Sequence, residues 1–438
     1  MYFQPPDSDW DDFHPKGWKS ADVKNATAKL LSKQKSVVTY SQDGNFYLQS
    51  GYNAAKEWIV DKAGYSNVVF NAVPNQKTKV FGRPAYNYVK GQRGGPAVAH
   101  LQDALTLSNF HLATNVRVLR IIHTKGQASG VLVTVNNKNV TVRLAPKGRV
   151  VVSGGAIASP GLLMLSGVGP QATLSHLHDA GASPYNSSNW VVNSAVGQGL
   201  FDNPNTFLVL SGPTIESYVH SYDNPIPADK ALYLQNRSGP YAFASQTSAF
   251  WTYIVNDDGT RTGVQGTIDS SGYMSTANNT ITLNVYGTSG LLSTGFVGFS
   301  DDGNFTPKPL GDIYYGHQRD GMNIAKFIHD IFQKLPPSTP QKPATSGLTP
   351  LNLAQNSTVN EIYQYITSST PYTRGSVQHW SSSCRIGSCV DADTKVVGTA
   401  NIHVVDASIV APLTVNPQFG IMVAAEKAAE RILAIWSK

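Results

Sequence analysis

Four places in the sequence hold residue types that can do chemistry. His379 lies in the polar segment VQHWSSS, where an imidazole can take up a proton near neutral pH. Taken alone, such a residue is more often a surface or structural histidine, and the same holds for His403 in its strand. Asn416-Pro417 joins a capping residue to a proline suited to a first helical position. A helix should open there, with free N–H groups and a positive dipole end able to face an anionic group; Asn416 could also be a plain cap. Gly154-Gly155 stands between a β-rich run and Ser159-Pro160, a second cap-and-proline pair. Glycine there lets another group approach the backbone, or makes a tight strand-to-helix turn. The opening MYFQPPDSDWDDF contains Asp7, Asp9, Asp11 and Asp12. Paired carboxylates would suit glycoside hydrolysis, but Ser, Trp and Pro around them favour a solvated loop.

The elements that must position these residues can be read from periodicity. Residues 96–109 carry Ala97, Val98, Leu101, Ala104 and Leu105 at helical spacing after Gly94-Gly95-Pro96. Residues 116–123, 131–135 and 140–144 form a three-stranded meander between turn residues, and a further run, 149–153, leads into the glycines. Residues 401–405 read as a buried strand ending at Asp406, and the ends of such strands are where cofactors sit in open α/β sheets. After Pro417 the expected helix has Met422, Ala425, Ala429, Ile432, Leu433 and Trp436 on one face, with Glu426, Lys427, Glu430 and Arg431 opposite. Between about 204 and 372, β-rich stretches (207–210, 250–255, 280–286) alternate with loops and a helix near 323–335, which suggests a separate α+β lobe. Residues 336–350 read as a surface loop within it. Gly167-Val-Gly169 imitates a dinucleotide fingerprint but follows a helix instead of a strand, so it is discarded.

Composition narrows the function classes. A chain of 438 residues exceeds one compact core and suggests two lobes. The net charge of +6 is scattered, and its densest cluster (Lys24, Lys29, Lys33, Lys35) has the spacing of a solvated helix face, so no nucleic-acid partner is expected. The longest uncharged run, 150–175, is broken by glycines and prolines, so no membrane span is expected. Cys384 and Cys389, the only cysteines, have no His or Cys at ligand spacing. A small disulfide loop is expected, and no metal. Seven N-x-S/T sequons, at Asn25, Asn139, Asn186, Asn236, Asn278, Asn304 and Asn356, fit an extracellular glycoprotein. The first residues show no leader pattern.

The run GAIASPGLLMLSGVG, residues 155–169, resembles the second signature of the glucose-methanol-choline (GMC) oxidoreductases, and residues 401–418 resemble the C-terminal part of the same family. The resemblance implies a two-lobed α/β flavoprotein fold. Its flavin-binding lobe would be residues 85–203 plus 376–438, its substrate lobe 204–375, and residues 1–84 would start the substrate lobe and its connections. It also implies FAD held by Val118, Gly154, Gly155, Asp406, Ala407, Asn416, Pro417 and Gln418, whose helix end would suit the negative charge of a reduced flavin. His379 would act as the base and Asn416 as its partner, with Gln378 and Trp380 at the substrate. Asn416, Trp380 and Asn203 resemble the cellobiose dehydrogenase branch. Two departures stand out: no G-x-G-x-x-G unit precedes the chain's other motifs, which leaves the FAD site incomplete, and Val377-Gln378 replaces the Ser-Asn of that branch, which argues against cellobiose itself. The expected activity is oxidation of a sugar or alcohol CH–OH group, with oxygen, a quinone or a haem domain as electron acceptor. The rival readings are an inactive carbohydrate-binding remnant and a glycosidase.

Overall fold

Strands far apart in sequence assemble the largest sheet in the computed structural model, which describes residues 1–335 and 347–436. Their order is Ser66–Asn67, Val80–Gly82, Gln246–Val255, Arg261–Asp269, Thr280–Gly287, Pro204–Ser211 and Thr349–Pro350, and Gly375–Ser376 also pairs with Pro204–Ser211. The central neighbours are antiparallel. On one face Phe250, Val264, Ile268, Leu283 and Leu208 form a core with the helices Gln49–Lys56 and Gln318–Phe332. Because side chains alternate along a strand, Trp251, Gln265 and Tyr286 lie on the other face.

The strand Arg261–Asp269 was not anticipated, because Gly263 and Gly266 dilute its β-propensity. The structure shows why glycine is needed: a Cβ on Gly266 would lie 2.1 Å from the Phe250 ring. Of the expected loop 336–350, residues 336–346 lie outside the described residues. Thr349–Pro350 is a short strand instead, paired with Leu210 and Ser211.

In the second lobe the meander forms as read, with antiparallel strands Arg117–Thr124, Gln127–Val135 and Lys138–Arg143. Val150–Val152 pairs in parallel with Ile402–Val404, and from it the chain turns into the helix Gly155–Leu165. That helix starts four residues before Ser159-Pro160, so Ser159 is not its cap and Pro160 lies inside it. The carbonyl of Ala156, which a proline four residues on cannot satisfy, accepts a hydrogen bond from Ser383 Oγ. The helical pattern of 96–109 yields only Ala97–Leu101 and Gln102–Ala104, with Val98 and Leu105 exposed.

The C-terminal helix Gln418–Trp436 buries a different face from the one its pattern suggested. Phe419, Met422, Val423, Ala424 and Ala428 enter the core, while Ala429 and Leu433 are exposed. Its neighbour explains the rotation: the helix Ser20–Lys33 packs along it through Val23, Ala26 and Leu30. The opening residues therefore join this lobe's core, although Phe3 packs against Phe70 and against Trp251 of the large sheet. Gly295–Phe299, assigned by sequence to the substrate lobe with Pro307–Leu310, pairs with Gln198–Leu200 on one side and Pro307–Leu310 on the other, and places Val297 and Phe299 in this same core. Among the described residues no helix is long and apolar enough to cross a membrane, and no cluster of ligating side chains could hold a metal ion.

Candidate active site

His379 and Asn416, thirty-seven residues apart, meet between the two lobes. Asn416 Nδ2 lies 3.3 Å from His379 Nε2. The state of the imidazole follows from its neighbours. Asn203 Nδ2 donates to the Gly287 carbonyl (2.6 Å), which turns Asn203 Oδ1 toward His379 Nδ1 at 2.9 Å. Nδ1 therefore carries the proton, and Nε2 keeps its lone pair. Burial among these uncharged groups holds the imidazole down, to about 3, so it is neutral across the physiological range.

Asn416 is oriented in the same way. Gln265 Nε2 donates to Asn416 Oδ1 (3.0 Å), so Nδ2 faces His379 and the Tyr286 hydroxyl at 3.4 Å. Trp251 Nε1 in turn donates to Gln265 Oε1 and to the Thr414 carbonyl. The two contacts of Asn416 Nδ2 are long for hydrogen bonds, so a substrate hydroxyl can compete for that donor and for the Nε2 lone pair together.

The loop carrying His379 wraps a buried carboxylate. Asp202 accepts the His379 N–H at Oδ1 (2.7 Å) and, at Oδ2, the Tyr314 hydroxyl, Ser376 Oγ and the Gln378 N–H. Gln378 itself is exposed, at φ 62°, and Trp380 is half-buried beside Tyr314.

Asp9 corrects the reading of the acidic opening as a solvated loop. Its side chain is buried within the helix Asp7–Phe13 and accepts the Thr414 N–H (2.7 Å) and hydroxyl (2.6 Å), two residues before Asn416. It is thus committed to an internal bond and is not free to act on a glycoside. Burial raises its carboxyl to about 7. A raised carboxyl binds a proton in the folded state at pH values where the unfolded chain has released it, so stability falls as pH rises from about 4 to about 7. Wild type is expected to lose more stability over that interval than an Asp9→Asn variant, compared by thermal unfolding across pH. Parallel curves would contradict this.

The residues expected at the cofactor separate into four groups. Val118 and Gly154 line a cavity of about 760 Å³ beside Val151, which is 46% exposed. Gly155, at φ 86°, has open space above it: an added Cβ would meet nothing within 4 Å. Asn416, Pro417 and the exposed Gln418 stand at the N-terminus of the C-terminal helix. Asp406 differs in having its carboxylate turned inward, where it accepts from Ser408 N and Oγ, Gly155 N and Ser159 Oγ. With Ala407, which begins the short helix Ala407–Ile409, it fixes the glycine turn. The open turn, the apolar cavity and the helix end are features that fit an elongated anionic cofactor. Cys384 and Cys389 are bonded to each other.

Sequence reading missed Trp251, Gln265, Tyr286 and Asp202. The available signal was an uncharged polar residue inside an otherwise buried strand, as Gln265 is in RTGVQGTID.

Comparison with known proteins bears on this arrangement. Two family models, both described as GMC oxidoreductase, match residues 1–205 and 300–425. Pyranose dehydrogenase of Agaricus campestris is 26% identical over 440 residues, covering 87% of this chain and 70% of that protein. Choline oxidase of Arthrobacter globiformis is 26% identical over 361 residues, covering 78% of this chain and 59% of that protein. Among solved structures, formate oxidase of Aspergillus oryzae RIB40 aligns over all of this chain and 82% of its own, with TM-score 0.76 and 16% identity. An FAD-dependent oxidoreductase from Chaetomium thermophilum aligns over all of this chain and 84% of its own, with TM-score 0.75 and 16% identity. At that identity the structural matches speak to the fold.

Proposed function

Because the chain belongs to the GMC oxidoreductase family, we propose that it serves an FAD-dependent oxidation of a sugar or alcohol CH–OH group, with His379 as base. The observation that carries this reading is the Nε2 lone pair of a neutral imidazole, fixed by Asn203 and facing Asn416 Nδ2 at the long distance of 3.3 Å. A substrate hydroxyl bridging these two atoms would give its proton to Nε2 and be held by Asn416 Nδ2. When bound, FAD supplies the acceptor for the hydride leaving the same carbon. Val118, Gly154, Gly155, Pro417 and Gln418 are the residues suited to hold it. Asn203, Trp380 and Asn416 favour a carbohydrate substrate of the cellobiose dehydrogenase type, while Val377 and Gln378 argue against cellobiose itself. All seven sequon asparagines are exposed, which supports an extracellular glycoprotein.

The second reading, a chain that binds carbohydrate without redox activity, draws support from the strand Val150–Val152, which pairs on one side only. One experiment addresses both. The 438-residue chain purified by itself is expected to carry much less than one flavin per chain, since among the described residues no phosphate-binding glycine loop adjoins that edge. Loaded with flavin, it should reduce a dye when given a free sugar or alcohol. Stoichiometric flavin on the purified chain would overturn the first expectation. Release of monosaccharide without a redox acceptor, or no dye reduction by the loaded protein, would overturn the proposed activity.

A further inference from the structure

Beyond Tyr286, the sheet face that carries Gln265 continues as a row of polar side chains. The register places Asn205 opposite Tyr286, Asn284 opposite Thr267 and Thr282 opposite Asp269. Residues in such positions are direct or diagonal neighbours.

Two of these groups lack what they need. Asn205 is only 7% exposed, and its Oδ1 has no hydrogen-bond partner. A buried acceptor left unpaired carries a desolvation cost, and such groups often mark an absent donor. Asp269, half-buried at the end of its strand, accepts from Asn284 Nδ2 (2.9 Å) and Ser245 Oγ (3.2 Å). Among the described residues no cation pairs with it. The Gln246 side chain also bonds to it, and an ionised carboxylate has about four acceptor positions, so a position remains. Beside them stands an apolar surface, since Phe207, opposite Asn284, is stacked on Tyr273 at 4.2 Å.

Acceptors without donors select a ligand rich in donors, and neutral O–H groups meet that need without bringing a charge. We propose that Asp269, Asn284 and Asn205 form a hydroxyl-recognition subsite for a polyhydroxylated substrate, whose carbon skeleton lies toward Phe207 while one hydroxyl reaches His379 and Asn416. This rests on the CH–OH reading above and makes its substrate a sugar or other polyol instead of a simple alcohol. Burial already pushes the Asp269 carboxyl up, so each donated hydroxyl favours its ionised form and strengthens the contact. A site built to bond substrate hydroxyls also disfavours analogues that lack them.

The test compares D-glucose with benzyl alcohol on the flavin-loaded protein, in wild type, Asp269→Asn and Asn205→Leu, with thermal unfolding as the control for folding. Wild type should prefer D-glucose. Each substitution should lower kcat/KM for D-glucose roughly tenfold to a hundredfold and leave kcat/KM for benzyl alcohol essentially unchanged. Saturation-transfer NMR with D-glucose provides a readout independent of turnover, and its signal should weaken in both variants. If wild type oxidises both compounds and the ratio is unchanged in both variants, the subsite is refuted while the CH–OH reading stands. Wild-type activity on benzyl alcohol alone would also refute the subsite. Oxidation of neither compound would refute the reading on which it rests.

Discussion

Replacing His379 with Gln is expected to slow substrate-driven flavin reduction by about a hundredfold to ten-thousandfold, the range that general-base catalysis supplies. A hydroxyl donates hydride poorly until its proton begins to leave. In this site Nε2 is the atom free to take that proton, because Nδ1 is already bonded to Asn203. Gln can hold a hydroxyl but cannot deprotonate it. Flavin content should be unchanged, since the hydrogen bonds of His379 go to Asp202, Asn203 and Asn416 and none goes to the glycine turn. The pH profile gives a second check. With the imidazole held at about 3, wild-type flavin reduction should show no acid limb near the ordinary histidine range of about 6.5. Stopped-flow reduction of a His379→Gln variant at the wild-type rate would show that the base lies elsewhere.

Asp202→Ala should be the most destabilising substitution near the site, costing on the order of 3–5 kcal/mol. The carboxylate is fully buried and accepts from His379, Gln378, Ser376 and Tyr314. Alanine would leave the buried His379 N–H without its acceptor and would leave the Gln378 N–H and the Tyr314 hydroxyl with only Ser376 Oγ to share. Asp202→Asn should cost less, because its Oδ1 can still accept and the hydroxyls of Ser376 and Tyr314 can rotate to accept from its Nδ2. Guanidinium unfolding of the three proteins measures the order. An unchanged midpoint for Asp202→Ala would mean that the loop finds other partners and that its shape does not depend on this carboxylate.

The contrast between Asp202 and Asp9 shows how far local sequence reaches. Both are aspartates in polar surroundings, at GLFDNP and DSDWDD, and nothing in either segment says that its carboxylate is buried. Asp202 is enclosed by a loop 174 to 177 residues later, and Asp9 by Thr414, 405 residues away. The partners arrive only when the chain has folded. The same holds for the C-terminal helix. Its composition contains enough apolar residues for more than one buried face, and contact with the helix Ser20–Lys33 decides which one is used.

By itself, the sequence determined what depends on residues close together. The meander strands follow from β-rich runs between turns, two further strands from apolar runs that end before Gly154 and Asp406, and the family from two contiguous motif blocks around residues 155–169 and 401–418; the parallel pairing of those two strands came only from the structure. It also marked His379 and Asn416 as a pair, through that resemblance. Only the tertiary structure decided the chemistry available to them. The imidazole's tautomer depends on Asn203, whose own amide is set by the Gly287 carbonyl, and the direction of Asn416 depends on Gln265 and, behind it, Trp251. Those groups come from four separate stretches of chain. A hydrogen-bond donor is assigned by the atom opposite it, and proximity of that kind is created by packing the two lobes together, which no local pattern of residues encodes.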